Sequence, residues 1–210
     1  GIIAECEAQK SPVILAIHPL ELKFQGDAFI QQVIKAANDT KIPCVIHLDH
    51  SGLKDIERAI RDGFTSVMID ASHESFEDNV AITKRVVELA HPLGVSVEAE
   101  LGHVGFGFEY EETRDSGLTK KEEALSYIAE TGIDCLAVAV GTSHGVYKGT
   151  PHLEFDLLAD LHRSIEIPLV LHGGSGTGDD NLKRAVETGI QKVNLFTDLS
   201  AGGIDTLRKY

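Results

Sequence analysis

One short stretch of the sequence combines histidine and aspartate at the end of an apolar run. The stretch VIHLDHS, Val45 to Ser51, begins as a strand-like pattern and places His47, Asp49 and His50 within four residues. An imidazole–carboxylate–imidazole cluster suits a metal site, an acid/base pair or the packed end of a strand. The stretch alone leaves the three interpretations open, so the surrounding elements must decide between them.

The elements around it are seven short apolar runs that alternate with amphipathic stretches. Nearly continuous hydrophobicity is typical of parallel strands covered by helices. Helix boundaries are also readable, such as Leu53 to Asp62 before Gly63, or Thr119 and Glu122 with the spacing of a capping box. The predicted strands span residues 11–17, 42–50, 66–72, 95–101, 135–141, 167–173 and 192–198.

This alternation predicts an α/β fold, and within that class a (β/α)8 TIM barrel. The first ten residues have a helical pattern and the last seven resemble an interrupted helix. We therefore expect one barrel domain over residues 1–210, incomplete at both ends and lacking the first strand. No Gly-x-Gly-x-x-Gly follows an early strand, which disfavours a dinucleotide-binding fold. Residues 102–118, rich in glycine and carboxylates, are predicted to form a mobile active-site loop.

Composition narrows the classes of partner and compartment. Nineteen lysines and arginines against 33 aspartates and glutamates give a formal charge of −14, with no basic run of the kind that nucleic-acid binders show. Three scattered cysteines without a C-x-x-C spacing indicate no disulfide framework, and no apolar run approaches a membrane span. We expect a cytoplasmic protein that binds neither nucleic acid nor membrane.

Histidines recur at the ends of three predicted strands. In such a barrel the chemistry lies at the carboxyl ends of the strands, where His50, His144 and His172 fall. Three neutral imidazoles with an open position suit a catalytic Zn²⁺. Glu98 and Glu100 project to one side of their strand, and two buried carboxylates require a cation or hydrogen-bond donors. A metal-linked role is favoured for Glu100 and left open for Glu98, while His47 is expected to support the site.

Glycine-rich turns follow the last two predicted strands. HGGSG covers residues 172–176 and NLFT covers residues 194–197. Barrels commonly hold a phosphate at this place through backbone amides and a helix N-terminus. The segments predict an amide-built phosphate site, which the acidic composition favours over a lysine patch.

Taken in order, the motifs HLDH, VEAELGHVG, GTSHG, LHGGSG and KVNLFT resemble the class II, zinc-dependent ketose-bisphosphate aldolases of the tagatose- and fructose-bisphosphate type. The resemblance implies reversible cleavage of a ketose 1,6-bisphosphate to dihydroxyacetone phosphate and glyceraldehyde 3-phosphate, in carbohydrate metabolism and glycolysis. It implies Zn²⁺ as the cofactor, with Na⁺ or K⁺ as an additional cation, and a homodimer or homotetramer.

The resemblance also assigns roles to positions of this sequence. Asp49 corresponds to the catalytic acid/base that acts on the C4 hydroxyl, and Glu100 to a carboxylate that interacts with the metal. A second acid/base is expected from the loop, where Glu109 is taken for the role and Glu111 and Glu112 compete with it. The implied zinc ligands are His50, His144 and His172, and the implied substrate contacts are Gly145, Gly173, Gly174, Ser175, Asn194, Leu195, Phe196 and Thr197.

Other functions remain to be weighed against this one. A zinc hydrolase on a similar barrel would be expected to show an early His-x-His pair, which the sequence lacks. A non-catalytic sugar-phosphate-binding protein would not need the complete set of Asp49, His50, His144 and His172. An aldolase for a different phosphorylated ketose agrees with the two phenylalanines, Phe106 and Phe108, in the predicted loop.

Overall fold

The computed structural model describes residues 1–110, 115 and 117–210. It divides into two compact units, the first of residues 1–99 with 131–133 and the second of residues 100–130 with 134–210. Each unit is described by itself. The single domain expected over residues 1–210 stays a prediction.

The first unit places its strands side by side in chain order, each parallel to the next. Helices precede and separate the strands, as parallel connections require. The strands are β1 (Val13–Ile17), β2 (Cys44–Ser51), β3 (Ser66–Ile69) and β4 (Ser96–Leu101), whose last two residues belong to the second unit. The helices are α1 (Ile2–Gln9), α2 (Pro19–Asp39), α3 (Leu53–Asp62) and α4 (Phe76–Ala90), and a 3₁₀ turn follows at His91–Leu93.

Helix boundaries in this unit follow local chemistry. Helix α3 has the bounds expected from the sequence and buries Ile56 and Ala59, and Gly63 ends it at φ 100°, a left-handed conformation that favours glycine. Helix α4 begins where the Ser75 hydroxyl accepts a hydrogen bond from the backbone N–H of Asp78. Helix α2 continues across a break at Gly26, which has φ 73°.

The second unit contains three further parallel strands in chain order. They are β5 (Cys135–Val138), β6 (Leu169–Leu171) and β7 (Ile190–Val193). Its core consists of fully buried leucines and tyrosines, among them Leu136, Leu158, Leu161, Leu169 and Tyr127. The helices are α5 (Lys121–Thr131), α6 (Phe155–Ser164), α7 (Asp179–Thr188) and α8 (Thr197–Leu207), with a 3₁₀ turn at Gly107–Glu109.

One predicted strand was misplaced. Residues 192–198 were expected to form the last strand, whereas β7 ends at Val193 and α8 begins at Thr197. The chain turns because Ser175 Oγ accepts hydrogen bonds from the backbone N–H groups of Phe196 and Asp198, at 3.1 and 3.2 Å. This contact caps the first turn of α8 from a distant segment, which periodicity in the local sequence does not reveal.

The predicted capping box at Thr119 was wrong. Its hydroxyl donates to the carbonyl of Leu101 at 2.5 Å and accepts the N–H of Ala139 at 2.8 Å. The backbone N–H of Thr119 also donates to the carbonyl of Ala139 at 2.9 Å. Thr119 therefore joins the end of β4 to the segment after β5 instead of capping α5.

The fold class predicted from the sequence is confirmed. The described residues contain seven parallel strands in chain order, separated by helices. Apolar residues of the strands fill the interior of each unit, which agrees with the continuous hydrophobicity of the seven runs. No helix in the described part of the chain is long and apolar enough to cross a membrane.

Candidate active site

His47 lies between two carboxylates inside the first unit. Its Nε2 is 3.8 Å from Asp49 Oδ1 and 3.7 Å from Glu98 Oε2, and its Nδ1 is 2.8 Å from Ser66 Oγ. His47 and Glu98 are each 1% exposed, whereas the Asp49 side chain keeps 19% of its surface exposed. Of the three groups Asp49 is therefore the one that a ligand can reach. The position of His47 beside Asp49 agrees with the supporting role expected for it.

The same three side chains satisfy a geometric condition for holding a cation. One ligand atom each from His47, Asp49 and Glu98 lies within 4.8 Å of the others. An imidazole and two carboxylates also suit an acid/base group with its supporting residues. Buried Glu98, which the sequence left open, is accounted for by this neighbourhood.

His50, near the end of β2, is held by the carboxylate of Asp70, the residue that follows β3. Its Nδ1 lies 2.7 Å from Asp70 Oδ2, while Asp70 Oδ1 accepts the N–H and hydroxyl of Ser72 at 3.1 and 2.7 Å. Burial by itself would raise the pKa of Asp70, but the hydrogen bonds from His50 and Ser72 outweigh it and lower the pKa well below its ordinary value. Asp70 is therefore a carboxylate anion at neutral pH.

The backbone at His50 has an unusual conformation. His50 has φ 43°, in the left-handed region that residues with a Cβ adopt rarely. The register between β2 and β3 shifts between Leu48 and Ser51, so the strand is irregular where the histidine sits. Such conformations persist where the surroundings hold them, and they cluster at functional sites.

Glu100, on β4, is the first residue of the second unit. It is 1% exposed, and its Oε1 accepts the backbone N–H of Val104 at 2.9 Å and lies 3.7 Å from His103 Nδ1. The carboxylate thus holds the first residues of the predicted loop 102–118 against the end of β4. A direct role of Glu100 at a metal stays a prediction.

The loop acids are described only in part. Glu109 lies at the end of an exposed 3₁₀ turn, beside Phe106 and Phe108, whose rings stack at 5.5 Å. Glu111 and Glu112 lie outside the described residues. The mobility of residues 102–118 and the catalytic role of Glu109 both stay predictions.

His144 and His172 meet within the second unit. Their ring centroids are 5.8 Å apart with the ring planes nearly perpendicular, and His144 Nδ1 lies 3.2 Å from the carbonyl oxygen of Val104. The N–H of His144 donates to Gly105 and its carbonyl accepts from Gly107, both at 2.8 Å. Within the second unit the structure thus brings together His144 and His172, because they follow β5 and β6, two strands that pair side by side.

His172, at the end of β6, is fully buried. The side-chain Nδ2 of Asn194 lies 3.3 Å from its Nδ1 and 3.4 Å from its Nε2. Asn194 also donates its backbone N–H to the carbonyl of Leu171, and its carbonyl accepts from Gly174. Asn194, predicted as a substrate contact, therefore also fixes the residues on both sides of His172.

The two predicted phosphate segments lie side by side. A Cβ at Gly174 would come within 2.9 Å of the Asn194 carbonyl oxygen, so only glycine allows this approach. The Ser175 hydroxyl already accepts two backbone N–H groups, so its own hydrogen is what it can offer to a ligand. Leu195 and Phe196 are exposed, Gly145 is half-buried at φ 83°, and Thr197 begins α8.

Two contributions were not predicted from the sequence. Asp70 was assigned no role from the sequence, and its pairing with His50 depends on the register of β2 and β3. Tyr147 was not singled out, yet its hydroxyl contacts Ser143, Gly173 and Thr177. Burial raises the pKa of Tyr147, so the phenol keeps its proton at neutral pH. The sequence signal that could have identified Tyr147 is its position three residues after His144, a candidate ligand.

Known proteins resemble this chain over its whole length. The family model described as "Fructose-bisphosphate aldolase class-II" matches residues 1–210. The chain is 43% identical to a fructose-bisphosphate aldolase of Thermus caldophilus, over 95% of the chain and 74% of the relative. It is 40% identical to the D-tagatose-1,6-bisphosphate aldolase subunit GatY of Klebsiella oxytoca, over 100% of the chain and 75% of the relative.

Solved structures agree with the sequence relatives. The crystal structure of the YdjI aldolase from Escherichia coli K12 has a TM-score of 0.87 and 33% identity, covering 99% of this chain and 74% of that one. The fructose-bisphosphate aldolase of Campylobacter jejuni has a TM-score of 0.81 and 27% identity, covering 100% of this chain and 71% of that one. With the match over residues 1–210, these likenesses show that the chain belongs to the class II fructose-bisphosphate aldolase family.

Proposed function

We propose that this protein is a zinc-dependent aldolase that reversibly cleaves a ketose 1,6-bisphosphate of the fructose or tagatose type. The products are dihydroxyacetone phosphate and glyceraldehyde 3-phosphate. Relatives named as fructose-bisphosphate and tagatose-bisphosphate aldolases, each at least 40% identical, support this substrate class. The observation that carries the proposal is a partly exposed carboxylate, Asp49, next in sequence to a histidine whose Nδ1 is held by Asp70.

The donor chemistry of the proposed ligands fits Zn²⁺. His50 Nδ1 faces a carboxylate oxygen, and His144 Nδ1 faces a carbonyl oxygen. An oxygen acceptor at Nδ1 selects the tautomer with the proton on Nδ1, which presents the lone pair of Nε2 to a metal. We propose that His50, His144 and His172 hold the ion, with Glu100 as an additional carboxylate. Three imidazoles with an open position are a ligand set of catalytic zinc.

When bound, Zn²⁺ would supply a Lewis acid that withdraws charge from the substrate carbonyl as the carbon–carbon bond breaks. Asp49 takes the proton of the C4 hydroxyl as a general base. The C4–O bond becomes a carbonyl, the C3–C4 bond breaks, and its electron pair forms the enediolate of the three-carbon product. In the condensation direction Asp49 returns the proton to the C4 oxygen. His47, fixed by its hydrogen bond with Ser66, lies beside the Asp49 carboxylate and keeps that carboxylate in place.

The enediolate then requires a proton at C3 to become dihydroxyacetone phosphate. We propose Glu109 as the acid, since it follows directly on the segment that pairs with His144. Its exposed position in a short 3₁₀ turn leaves the carboxylate accessible to solvent and substrate. Substitution of Glu109 by glutamine should slow proton exchange at C3 of dihydroxyacetone phosphate more than it slows cleavage.

The phosphate of dihydroxyacetone phosphate is assigned to the loops after β6 and β7. Gly173 and Ser175 would offer backbone N–H groups and one hydroxyl, Gly174 would allow close approach of the backbone, and Asn194 to Thr197 would close the other side. Gly145, adjacent to His144, is the proposed contact to the three-carbon portion of the substrate. A Na⁺ or K⁺ ion beside the phosphate would reduce the repulsion expected from the acidic chain.

A different phosphorylated ketose is the second candidate substrate. The stacked rings of Phe106 and Phe108 are 53% and 57% exposed, and the Phe106 ring lies 6.4 Å from that of His144. An exposed aromatic pair beside a proposed zinc ligand offers an apolar face to the aldehyde part of a substrate. Comparing ketose 1-phosphates with ketose 1,6-bisphosphates as substrates tests this candidate.

The decisive experiment measures cleavage of fructose and tagatose 1,6-bisphosphates with and without zinc. The activity should disappear on chelation and return with Zn²⁺. Asp49→Asn should retain the metal and lose roughly 100- to 10,000-fold in kcat, the range for a lost general base. Asp205→Asn, at an exposed aspartate of α8, is the matched control and should remain active. Full activity after complete zinc removal would refute the mechanism.

We further propose that the protein acts in the cytoplasm on a small phosphorylated sugar, as a homodimer or homotetramer. The family supports the sugar-phosphate substrate. Light scattering of the purified protein tests the oligomeric state, and a monomer at micromolar concentration would contradict it.

A further inference from the structure

The hydroxyl of Tyr147 joins two loops of the second unit. It accepts the backbone N–H of Ser143 at 2.7 Å and donates to the carbonyl oxygen of Gly173 at 3.0 Å. Ser143 precedes His144 and Gly173 follows His172, so one phenol connects the residues adjacent to both histidines. Since the Thr177 hydroxyl donates to the same Gly173 carbonyl at 2.9 Å, both lone pairs of that oxygen are used.

A second tyrosine holds Tyr147 and the preceding part of its loop. The rings of Tyr110 and Tyr147 meet edge to face at 5.1 Å. The hydroxyl of fully buried Tyr110 accepts the N–H of His152 at 2.6 Å and lies 2.9 Å from the carbonyl oxygen of Gly141. The loop that carries His144 is therefore held at Gly141 and again at Ser143. Together with the backbone bond from His144 to Gly105, these contacts leave the histidine little freedom.

The two loops also touch through their backbones. A Cβ at Gly173 would come within 2.4 Å of the carbonyl oxygen of Ser143, and Gly173 has φ 70°. Contact at this distance depends on glycine and on a bond that keeps the loops in place. Ser143 is 1% exposed, so without the Tyr147 hydroxyl its N–H would be buried with no acceptor among the contacts described. A buried donor without an acceptor is unfavourable, and the loop would relieve this by moving.

From these contacts we infer that Tyr147 is a positioning residue that sets the distance between the His144 and His172 imidazoles by bonding Ser143 to Gly173. It touches neither metal nor substrate and acts through the two loops. The inference rests on the proposed function, because the two imidazoles matter together only if both bind one ion.

The test uses Tyr147→Phe, which removes the hydroxyl and keeps the ring against Tyr110. The metal-free protein is titrated with Co²⁺, and binding is followed by the visible absorption bands of the bound ion. We expect the Co²⁺ Kd to rise about 10-fold or more, the usual loss when a group that orients metal ligands is removed. The absorption bands should also change in position or intensity, since they report the geometry of the ligands. Tyr210→Phe removes a hydroxyl from a fully exposed tyrosine and should alter neither.

The outcomes separate this role from a purely structural one. If Tyr147 only stabilised the fold, Tyr147→Phe would melt at a lower temperature while the Co²⁺ Kd stayed within about twofold and the spectrum stayed the same, which overturns the inference. Thr177→Val gives a second check, because it removes the Thr177 bond to Gly173 and the 3.3 Å contact with the Tyr147 hydroxyl, and leaves the link from Tyr147 to Ser143. An equal rise in Kd in that variant would assign the effect to the Gly173 carbonyl and overturn the role of Tyr147.

Failure of the proposed function has a different signature. A parent protein that takes up no Co²⁺ or Zn²⁺ would refute the metal site and this inference together. A parent that binds metal with a Kd equal to that of Tyr147→Phe would refute this inference alone.

Discussion

Replacing Asp70 by asparagine should weaken zinc binding while leaving the fold intact. Asp70 Oδ2 lies 2.7 Å from His50 Nδ1, and Oδ1 accepts two hydrogen bonds from Ser72. Asparagine has the same shape but only one oxygen. It can face His50 with that oxygen and lose the bonds to Ser72, or keep them and present its amide hydrogens to the ring. Either arrangement removes the negative charge that fixes the proton on His50 Nδ1.

The magnitude follows from the bond that is lost. A hydrogen bond to a charged group contributes about 1.5–3 kcal/mol net. Since about 1.4 kcal/mol corresponds to a tenfold change in an equilibrium constant, its loss predicts roughly a 10- to 100-fold weaker zinc site. The same range is typical when a carboxylate that orients a metal-bound histidine is replaced. His50 lies in an irregular part of β2, with φ 43°. The position of its ring therefore depends on side-chain contacts such as that with Asp70.

The assay is competition for Zn²⁺ between the protein and a chromogenic chelator at neutral pH. Ser72→Ala is the matched control, because it removes one hydroxyl from Asp70 Oδ1 and leaves the contact with His50. We expect Asp70→Asn to raise the zinc Kd about 10- to 100-fold and Ser72→Ala to raise it less than about threefold. A zinc Kd for Asp70→Asn equal to that of the parent would show that Asp70 does not orient a metal ligand, and the reasoning would be wrong.

Three further variants test other contacts. Thr119→Val removes the hydroxyl that joins two buried backbone groups, which should cost about 2–4 kcal/mol in the free energy of unfolding. Thr119→Ser should keep most of the stability. Equal denaturant midpoints for the valine and serine variants would contradict this. Gly173→Ala drives a Cβ into the Ser143 carbonyl, so the melting temperature should fall and the KM for the bisphosphate should rise, and a parent-like KM would argue against this phosphate loop. Hydrogen bonds from Thr40 and from the next backbone N–H lower the pKa of Glu7. The stability from that carboxylate is present above its unfolded pKa and is lost as the pH falls through the lower folded pKa. Glu7→Gln should therefore lower the melting temperature at pH 7 and lower it less as the pH falls through the folded pKa, and an equal difference across that range would refute the contact.

Residue patterns predicted the architecture because the hydrophobicity of each strand reflects whether its two faces are covered. Strands covered on both faces are largely apolar, and six of the seven runs contain a strand, while the last run overlaps β7 only at residues 192 and 193. Helix α3 has its predicted bounds because its ends depend on neighbouring residues, including Gly63. The last strand and the Thr119 capping box were wrong for the opposite reason. Their hydroxyl contacts come from residues about 20 positions away or more, which local periodicity does not record.

The same division applies to the candidate site. Sequence alone determined the family through its ordered motifs, and it predicted the residues that carry the chemistry from the apolar runs that precede His50, His144 and His172. Only the tertiary structure decided what surrounds them. The register of β2 and β3 places Asp70 against the ring of His50, and the contact between two loops places the Tyr147 hydroxyl between Ser143 and Gly173, the chain neighbours of His144 and His172. Such partners are set by distances of a few ångströms between segments far apart in the chain, and a hydrogen bond forms only where folding brings donor and acceptor within that reach.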